Sequence, residues 1–372
     1  MIASASALST HPVASNATGD VIGDLLEHQL GPPEIIIVFI APAFAGAVTD
    51  IITTISVALE VAIVVAASSN GLLAAGTEVR GRPALAVWAL WADEPRLDIA
   101  IHPIDDGLTA LDITSRSVIA DSDLAIVLGA QVLAGITTSV ESICAVRGSK
   151  PTIGALLSVA DGSMGIHDID GGRHEAAVIS INGIGVAVEL DHSRRAVGGS
   201  HIITRSIGSM ILELDGRPAL DVVMENLLAA DADSQHWSPE DLGLETTGDD
   251  GGTTDTVAVL GGDRSTRAVA VASPLDEGTR VHLTIEDVTV EPFGARSPSL
   301  SGPCAGALLF CSRPVDLRVI EDGVAEIGSV VERLGTSAFA GIHAAAVIGP
   351  GRKGSGITTA PFASVHVGRD HH

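Results

Sequence analysis

The chain has no tyrosine, and only two lysines, Lys150 and Lys353, stand against nineteen arginines. With six Phe and three Trp in 372 residues, aromatic rings are too scarce to line a macrocycle readily. Cysteine is sparse and odd in number: Cys144, Cys304 and Cys311 show no paired spacing, which excludes a disulfide framework and a zinc ribbon and fits a reducing cytoplasm. Positive charge is short, with 21 Lys and Arg against 46 Asp and Glu and a formal net charge of −25. A phosphate-backbone reader needs a basic footprint, so nucleic acid is not an expected partner. The carboxylate excess is the pattern of proteins that stay hydrated in high salt; codon bias in a high-GC genome accounts for it equally well.

No Lys or Arg precedes Arg80, which leaves no basic leader region and no positive flank for a first transmembrane helix. The uncharged runs between Glu60 and Glu78 and over residues 124–140 have almost the length of a span. Turn chemistry at Ser68, Ser69, Asn70 and Gly71 interrupts the first, so buried strands of an α/β sheet are expected and no membrane span. The sequence also lacks a GxxxxGK[ST] loop, an HExxH pair and a GxGxxG that opens a helix after a strand.

What is present is alternation of apolar strands and helices. Residues 14–30 carry Val21, Ile22, Leu25, Leu26 and Leu30 at helical spacing and stop at Gly31-Pro32-Pro33. A buried strand over 34–40, a helix over 45–58 and a strand over 61–66 make a parallel βαβ block. Residues 83–90 and 97–101 read as strands. Residues 124–128, 134–146 and 152–157 then repeat the βαβ theme, which suggests an internal duplication. Residues 176–181 and 184–190 around Asn182-Gly183 predict a β-hairpin. Strands are expected at 257–260, 268–272, 280–285, 305–310 and 359–367, with a helix over 320–334. The fold class is α/β, with βαβ blocks in the N-terminal half and a mixed sheet in the C-terminal half. A boundary near residue 200 divides domain 1–200 from domain 201–372, and the Asp, Gly, Ser and Thr-rich stretch 229–256 predicts a flexible acidic loop.

Residues 211–223, ILELDGRPALDVV, join a strand to a turn at Asp215-Gly216 and a helix with an apolar face of Ala219, Leu220, Val223, Leu227 and Leu228. Pro218 suits a first helical position and Asp215 its cap. This segment resembles the opening of the C-terminal half of FIST domains, the family named for F-box and intracellular signal transduction proteins. The resemblance covers most of residues 3–367. VAASSNGLLAAGTEV at 65–79 is similar to an N-terminal FIST segment, with Ser68 at the family threonine, Asn70 at a glutamate, Gly71 at a glycine and Glu78 at a later acid. LLFCSR at 308–313 places Cys311 at the family cysteine and Arg313 one position before its arginine. AGIHAAAVIGP at 340–350 places His343 in an aromatic slot and Val347 in a glutamate slot.

The resemblance implies a non-catalytic sensory module that binds a small metabolite, an amino acid among the candidates, and signals to a partner protein. The implied ligand set is Ser68, Ser69, Asn70, Gly71 and Glu78 from one segment, facing Cys311, Arg313, His343 and Gly349 from the others, with Arg313 forking a carboxylate and closure of the two halves carrying the signal. No metal is implied. Haem is a further possibility, since some FIST proteins are haem-based gas sensors; His343, His366, His192 and His201 are then the ligand candidates. A scaffold with a degenerate pocket, in view of Val347, is the alternative from another class, and an enzyme using Cys311 is the third.

Overall fold

The computed structural model describes residues 2–28, 30–93, 97–104, 113–130, 136–157, 166–168, 172–191, 194–230, 242–247, 253–272, 274–286, 304–312, 324–349, 357–358 and 362–368. Its first elements are β1 (Ile2–Ser9), α1 (Ala14–Leu26), β2 (Ile35–Ile40), a 3-10 turn (Pro42–Ala47), α2 (Val48–Leu59) and β3 (Val64–Ser68). Next come β4 (Gly71–Ala74), β5 (Thr77–Arg80), β6 (Leu85–Ala92), β7 (Asp98–Ile104), α3 (Ile113–Asp121), β8 (Leu124–Ala130), α4 (Ile136–Arg147) and β9 (Thr152–Leu157). β10 (Ile166–Asp168), β11 (Arg173–His174), β12 (Ala176–Asn182) and β13 (Gly185–Asp191) follow. The middle of the chain holds β14 (Arg194–Ile207), β15 (Met210–Leu214), β16 (Arg217–Pro218), α5 (Ala219–Ala230), β17 (Leu242–Thr247), β18 (Thr253–Asp263), β19 (Ala268–Val271) and β20 (Arg280–Glu286). The last elements are β21 (Gly306–Cys311), β22 (Val324–Glu326), α6 (Gly328–Leu334), β23 (Phe339–His343), β24 (Ala346–Ile348), β25 (Ile357–Thr358) and β26 (Phe362–Gly368).

Two compact units result, one of Met1–Asp191 with Pro292–His372 and one of His192–Glu291. The boundary expected near 200 falls inside β14, and residues 292–372 belong to the first unit rather than to a second domain running to the C-terminus.

Among the described residues the first unit contains three sheets, in the orders β1-β6-β2-β3-β10-β11, β25-β24-β9-β8-β12-β7 and β13-β26-β21-β23-β4-β5-β22. Each has one parallel pair, β2 with β3, β8 with β9, and β21 with β23. α2, α4 and α6 lie in the respective connections, so the two expected βαβ blocks are joined by a third. Period-2 alternation sorts the strand residues between two layers. Ile35, Ile37 and Phe39 of the first sheet, Leu124, Ile126 and Leu128 of the second, and Leu308, Phe310 and Ile342 of the third share one apolar core. The opposite faces meet helices. Ile36, Val38 and Ile40 pack on α1 and α2, Ala125 and Val127 on α3 and α4, and Ala307, Leu309 and Phe339 on α6. Strands apolar on both faces read as continuous hydrophobic runs, which explains the uncharged stretches of the sequence. Pro42–Leu59 has the length and hydropathy of a membrane span, but Val48, Ile51, Ile52, Ile55 and Leu59 are buried in the helix layer of the first sheet.

The second unit is an antiparallel ring. β14 pairs with β20, β20 with β17, β17 with β18, β18 with β19, β19 with β15, and β15 again with β14. Closure of this kind removes exposed sheet edges. Leu244, Val259, Val269, Leu283 and Ile203 fill its core together with Val222 and Val223 of α5.

Three local expectations are corrected. Residues 176–190 form two strands but no hairpin, because β12 is flanked on both sides by β7 and β8 while β13 pairs with β26. Residues 229–256 are not one loop: β17 and the start of β18 pair there, since Leu242 and Leu244 alternate into the core despite the polar composition; residues 231–241 and 248–252 lie outside the described set. Residues 324–326 are a strand against β5 rather than part of a 320–334 helix, and α6 spans only Gly328–Leu334.

The corner at 211–218 also differs from a helix cap. Asp215 and Gly216 both have positive φ, 52° and 74°, the geometry of a tight type I′ turn between β15 and β16. Asp215 turns its carboxylate to β14, accepting from Ile202 N–H at 2.8 Å and lying 2.7 Å from His201 Nδ1. Leu228, expected on the apolar face of α5, is 73% exposed.

Two predictions follow from these contacts. Arg147 is buried and donates to Thr152 Oγ1 at 2.8 Å, to Pro151 O at 2.6 Å, to Ser122 Oγ at 2.5 Å and to Ile119 O, tying α4 to the end of α3 and the start of β9. Arg147→Leu strands these acceptors, each worth about 1–3 kcal/mol when left unsatisfied, and should lower stability by roughly 3 kcal/mol in a urea titration. The Asp215 carboxyl is held below its ordinary 3.8, first by the Ile202 N–H and then by His201. A depressed carboxylate contributes stability above its unfolded pKa and loses it as pH falls through the folded value. The stability gap between wild type and Asp215→Asn should therefore be widest at neutral pH and close below about pH 4.

Candidate functional site

β4, β5, β21 and β23 bring the chemistry together on the helix-side face of the third sheet. Register places Cys311 beside His343 in the parallel pair, Leu73 opposite Glu78 and Gly71 opposite Arg80. Alternation then puts Glu78, Arg80, Cys311 and His343 on the face carrying Leu73 and Leu309. Glu78 is fully buried, and a carboxylate there requires compensation. Its Oε1 lies 3.3 Å from Arg80 Nε and 2.8 Å from His343 Nε2.

The His343 contact has hydrogen-bond length without hydrogen-bond alignment. Its Nε2 is buried and has no aligned partner among the described residues. The attraction to Glu78 is thus one of charge, present when the imidazole carries its proton.

The backbone around this cluster is tightly set. Ser69 Oγ donates to His343 O at 2.5 Å and accepts from Gly71 N–H at 3.3 Å, while Ala344 N–H donates to Cys311 O at 2.6 Å. Gly71 has no room for a side chain: a Cβ there would sit 2.5 Å from His343 Cγ. The glycine lets the imidazole lie across β4. Cys311 is 0% exposed, and burial, then the Glu78 charge, raise its thiol well above the ordinary value. It is a neutral thiol at pH 7, unsuited to nucleophilic attack.

Of the residues singled out in the sequence, Ser69, Gly71, Glu78, Cys311 and His343 therefore converge. Gly71, Glu78, Cys311 and His343 sit in one hydrogen-bonded sheet, and Ser69, in the loop before β4, is bonded to it through His343 O and Gly71 N–H. All lie in one unit, which corrects the expectation of two halves closing across a cleft. Ser68 does not join them, because it shares the β3 face of Val64 and Ala66, toward α2. Asn70 is exposed and uses its carbonyl to receive Gly81 N–H at 3.1 Å. Gly349 packs against Leu190, where a Cβ would meet Cδ2 at 2.5 Å. Arg313 lies outside the described residues, as does His192. His366 and His201 are held by other partners, Ser364 and Asp215 respectively. Val347, in the resemblance's glutamate slot, is fully buried in the central core. Arg80 was not singled out from the sequence, although its place two residues after Glu78 in a short strand is a same-face signal.

Residues 34–217 match the family model described as the FIST N domain. An uncharacterized protein of Mycobacterium tuberculosis is 23% identical over 371 residues, covering 92% of this chain and 94% of its own length. An uncharacterized protein of Mycobacterium bovis is 29% identical over 171 residues, covering 42% of this chain and 44% of its own. A solved cyanuric acid hydrolase from A. caulinodans aligns over 100% of both chains at 9% identity with a TM-score of 0.32, too low to establish a common fold. The match that runs from the strand before α2 to the Asp215 turn settles the family: over residues 34–217 the chain is a FIST N domain, and it belongs to the FIST family.

Proposed function

We propose that this chain is a non-catalytic sensory module that binds a small metabolite at the Glu78, Arg80 and His343 cluster and passes the bound state to a partner protein. The observation that carries this reading is the buried His343 Nε2, 2.8 Å from Glu78 and unaligned with any described acceptor. A ligand that completes its geometry gains a charge-assisted hydrogen bond away from bulk water. A protonated imidazole and the Arg80 guanidinium are both donors suited to a carboxylate, which favours a ligand carrying one, an amino acid included. Family membership supports the signalling role, and the fully protonated state of Cys311 argues for binding over catalysis. A scaffold without a ligand is the second reading, favoured by Val347, whose side chain occupies the central core where the resemblance has a glutamate.

Thermal unfolding against amino acids, small carboxylates and haemin, in low and high KCl, tests the proposal. A ligand at a hundred times its Kd adds about 2.7 kcal/mol to the folded state, a shift of several degrees. A specific shift with a carboxylate is expected, and its loss in folded Glu78→Gln protein places the ligand at this cluster. A flat response from well-folded wild type favours the scaffold. Gly71→Ala should displace the His343 ring, lowering stability by about 1–3 kcal/mol through overpacking and abolishing the same shift.

A further inference from the structure

A second polar cluster lies on β13, β26 and the approach to β21, outside the site above. Cys304 is partly exposed, whereas Cys144 and Cys311 are buried. Its backbone is pinned by the next residue: Ala305 N–H donates to Val367 O at 2.8 Å, and Ser4 Oγ donates to Ala305 O at 2.8 Å. The thiol is thereby held with Sγ 3.7 Å from His366 Nδ1 and 3.3 Å from Gly306 O. His366 is fully buried. Its other ring nitrogen, Nε2, lies 2.9 Å from Ser364 Oγ and 4.0 Å from Glu189 Oε2, and register sets Glu189 directly opposite Ser364.

A thiol on one imidazole nitrogen, with a hydroxyl and a carboxylate on the other, is the arrangement that lets a histidine take a thiol proton and keep it. At rest the Cys304 thiol donates to Gly306 O; burial pushes the thiol up, and its backbone hydrogen bonding at Gly306 and Val367 opposes this. The sulfur is therefore neutral at rest and reacts by handing its proton to the ring. A cysteine and a buried histidine 3.7 Å apart at a partly open surface constitute a reactive pair rather than an isolated thiol.

We propose that Cys304 is a modification site for hydroperoxides, with His366 as its proton acceptor and donor. The Sγ proton passes to His366 Nδ1, and the thiolate attacks one peroxide oxygen. The S–O bond forms as the O–O bond breaks, and the departing hydroxide or alkoxide takes the proton back from His366 as water or alcohol. Sulfur is oxidised by two electrons to the sulfenic acid and the peroxide is reduced by two. With Cys144 and Cys311 buried, the product stays a sulfenic acid until an external thiol reduces it. This input is independent of ligand binding at Glu78.

The test treats the full chain with hydrogen peroxide at pH 6, traps sulfenic acid with dimedone and locates the adduct by peptide mass. At that pH a free thiol is almost wholly protonated, so N-acetylcysteine gives the unassisted rate. The expected result is an adduct on Cys304 alone, forming at least tenfold faster than on N-acetylcysteine, with His366→Gln slowing it at least tenfold. Modification of Cys144 or Cys311 at an equal rate, or a Cys304 rate no faster than the reference, overturns the proposal. An unchanged rate in folded His366→Gln overturns it as well. Should that variant not fold, Glu189→Gln takes its place: a slower rate supports the relay and an unchanged one refutes it.

Discussion

Burial of alternate residues from three sheets in one common core is the constraint on which the rest of the first unit depends. A strand residue that faces this core, such as Phe39, Leu128 or Phe310, has partners from other sheets as well as its own. Its chain neighbours then face outward onto a helix or onto whatever polar chemistry the strand carries. Each such side chain contributes about 1.5–3 kcal/mol on burial, so a one-residue slip in register would exchange the layers at great cost. Register is fixed by packing, and the positions of the candidate-site side chains are fixed with it.

Both polar clusters occupy the outward face of the third sheet for this reason. Glu78, Arg80 and His343 stand at one side, and Glu189, Ser364 and His366 at the other, with Leu309 and Phe339 under α6 between them. The inward face of the same strands has no capacity for charge, because it is shared with two other sheets. Val347, on β24 of the second sheet, faces the same core, where a carboxylate would need a partner to offset its desolvation.

The second unit solves its packing differently. Its strands close into a ring through the β14–β15 pairing, and α5 supplies the remaining apolar surface. The Asp215-Gly216 turn belongs to that closure. It was legible as a turn because Asp and Gly accept positive φ, but the partner of the Asp215 carboxylate, Ile202 and His201 on a neighbouring strand, was not. The polar stretch after α5 hid β17 because the alternation of Leu242 and Leu244 is brief and its flanks are polar. Residues 176–190 displayed two strands and a turn, yet sheet assignment depends on which edges are already occupied, and β12 had none free.

The sequence by itself determined the family, the α/β class, two of the three βαβ blocks, the buried strands and most of the residues that meet at the candidate site. These follow from local chemistry: uninterrupted β-branched runs, helical spacing, turn dipeptides and motif residues. Only the tertiary structure decided that Gly71, Glu78, Cys311 and His343 lie in one sheet with Ser69 bonded to it from the loop before β4, that Arg80 joins them while Ser68 and Gly349 do not, and that Cys304 meets His366. Those outcomes depend on contacts between residues hundreds of positions apart, and such contacts are set by register and by the competition of all three sheets for one core.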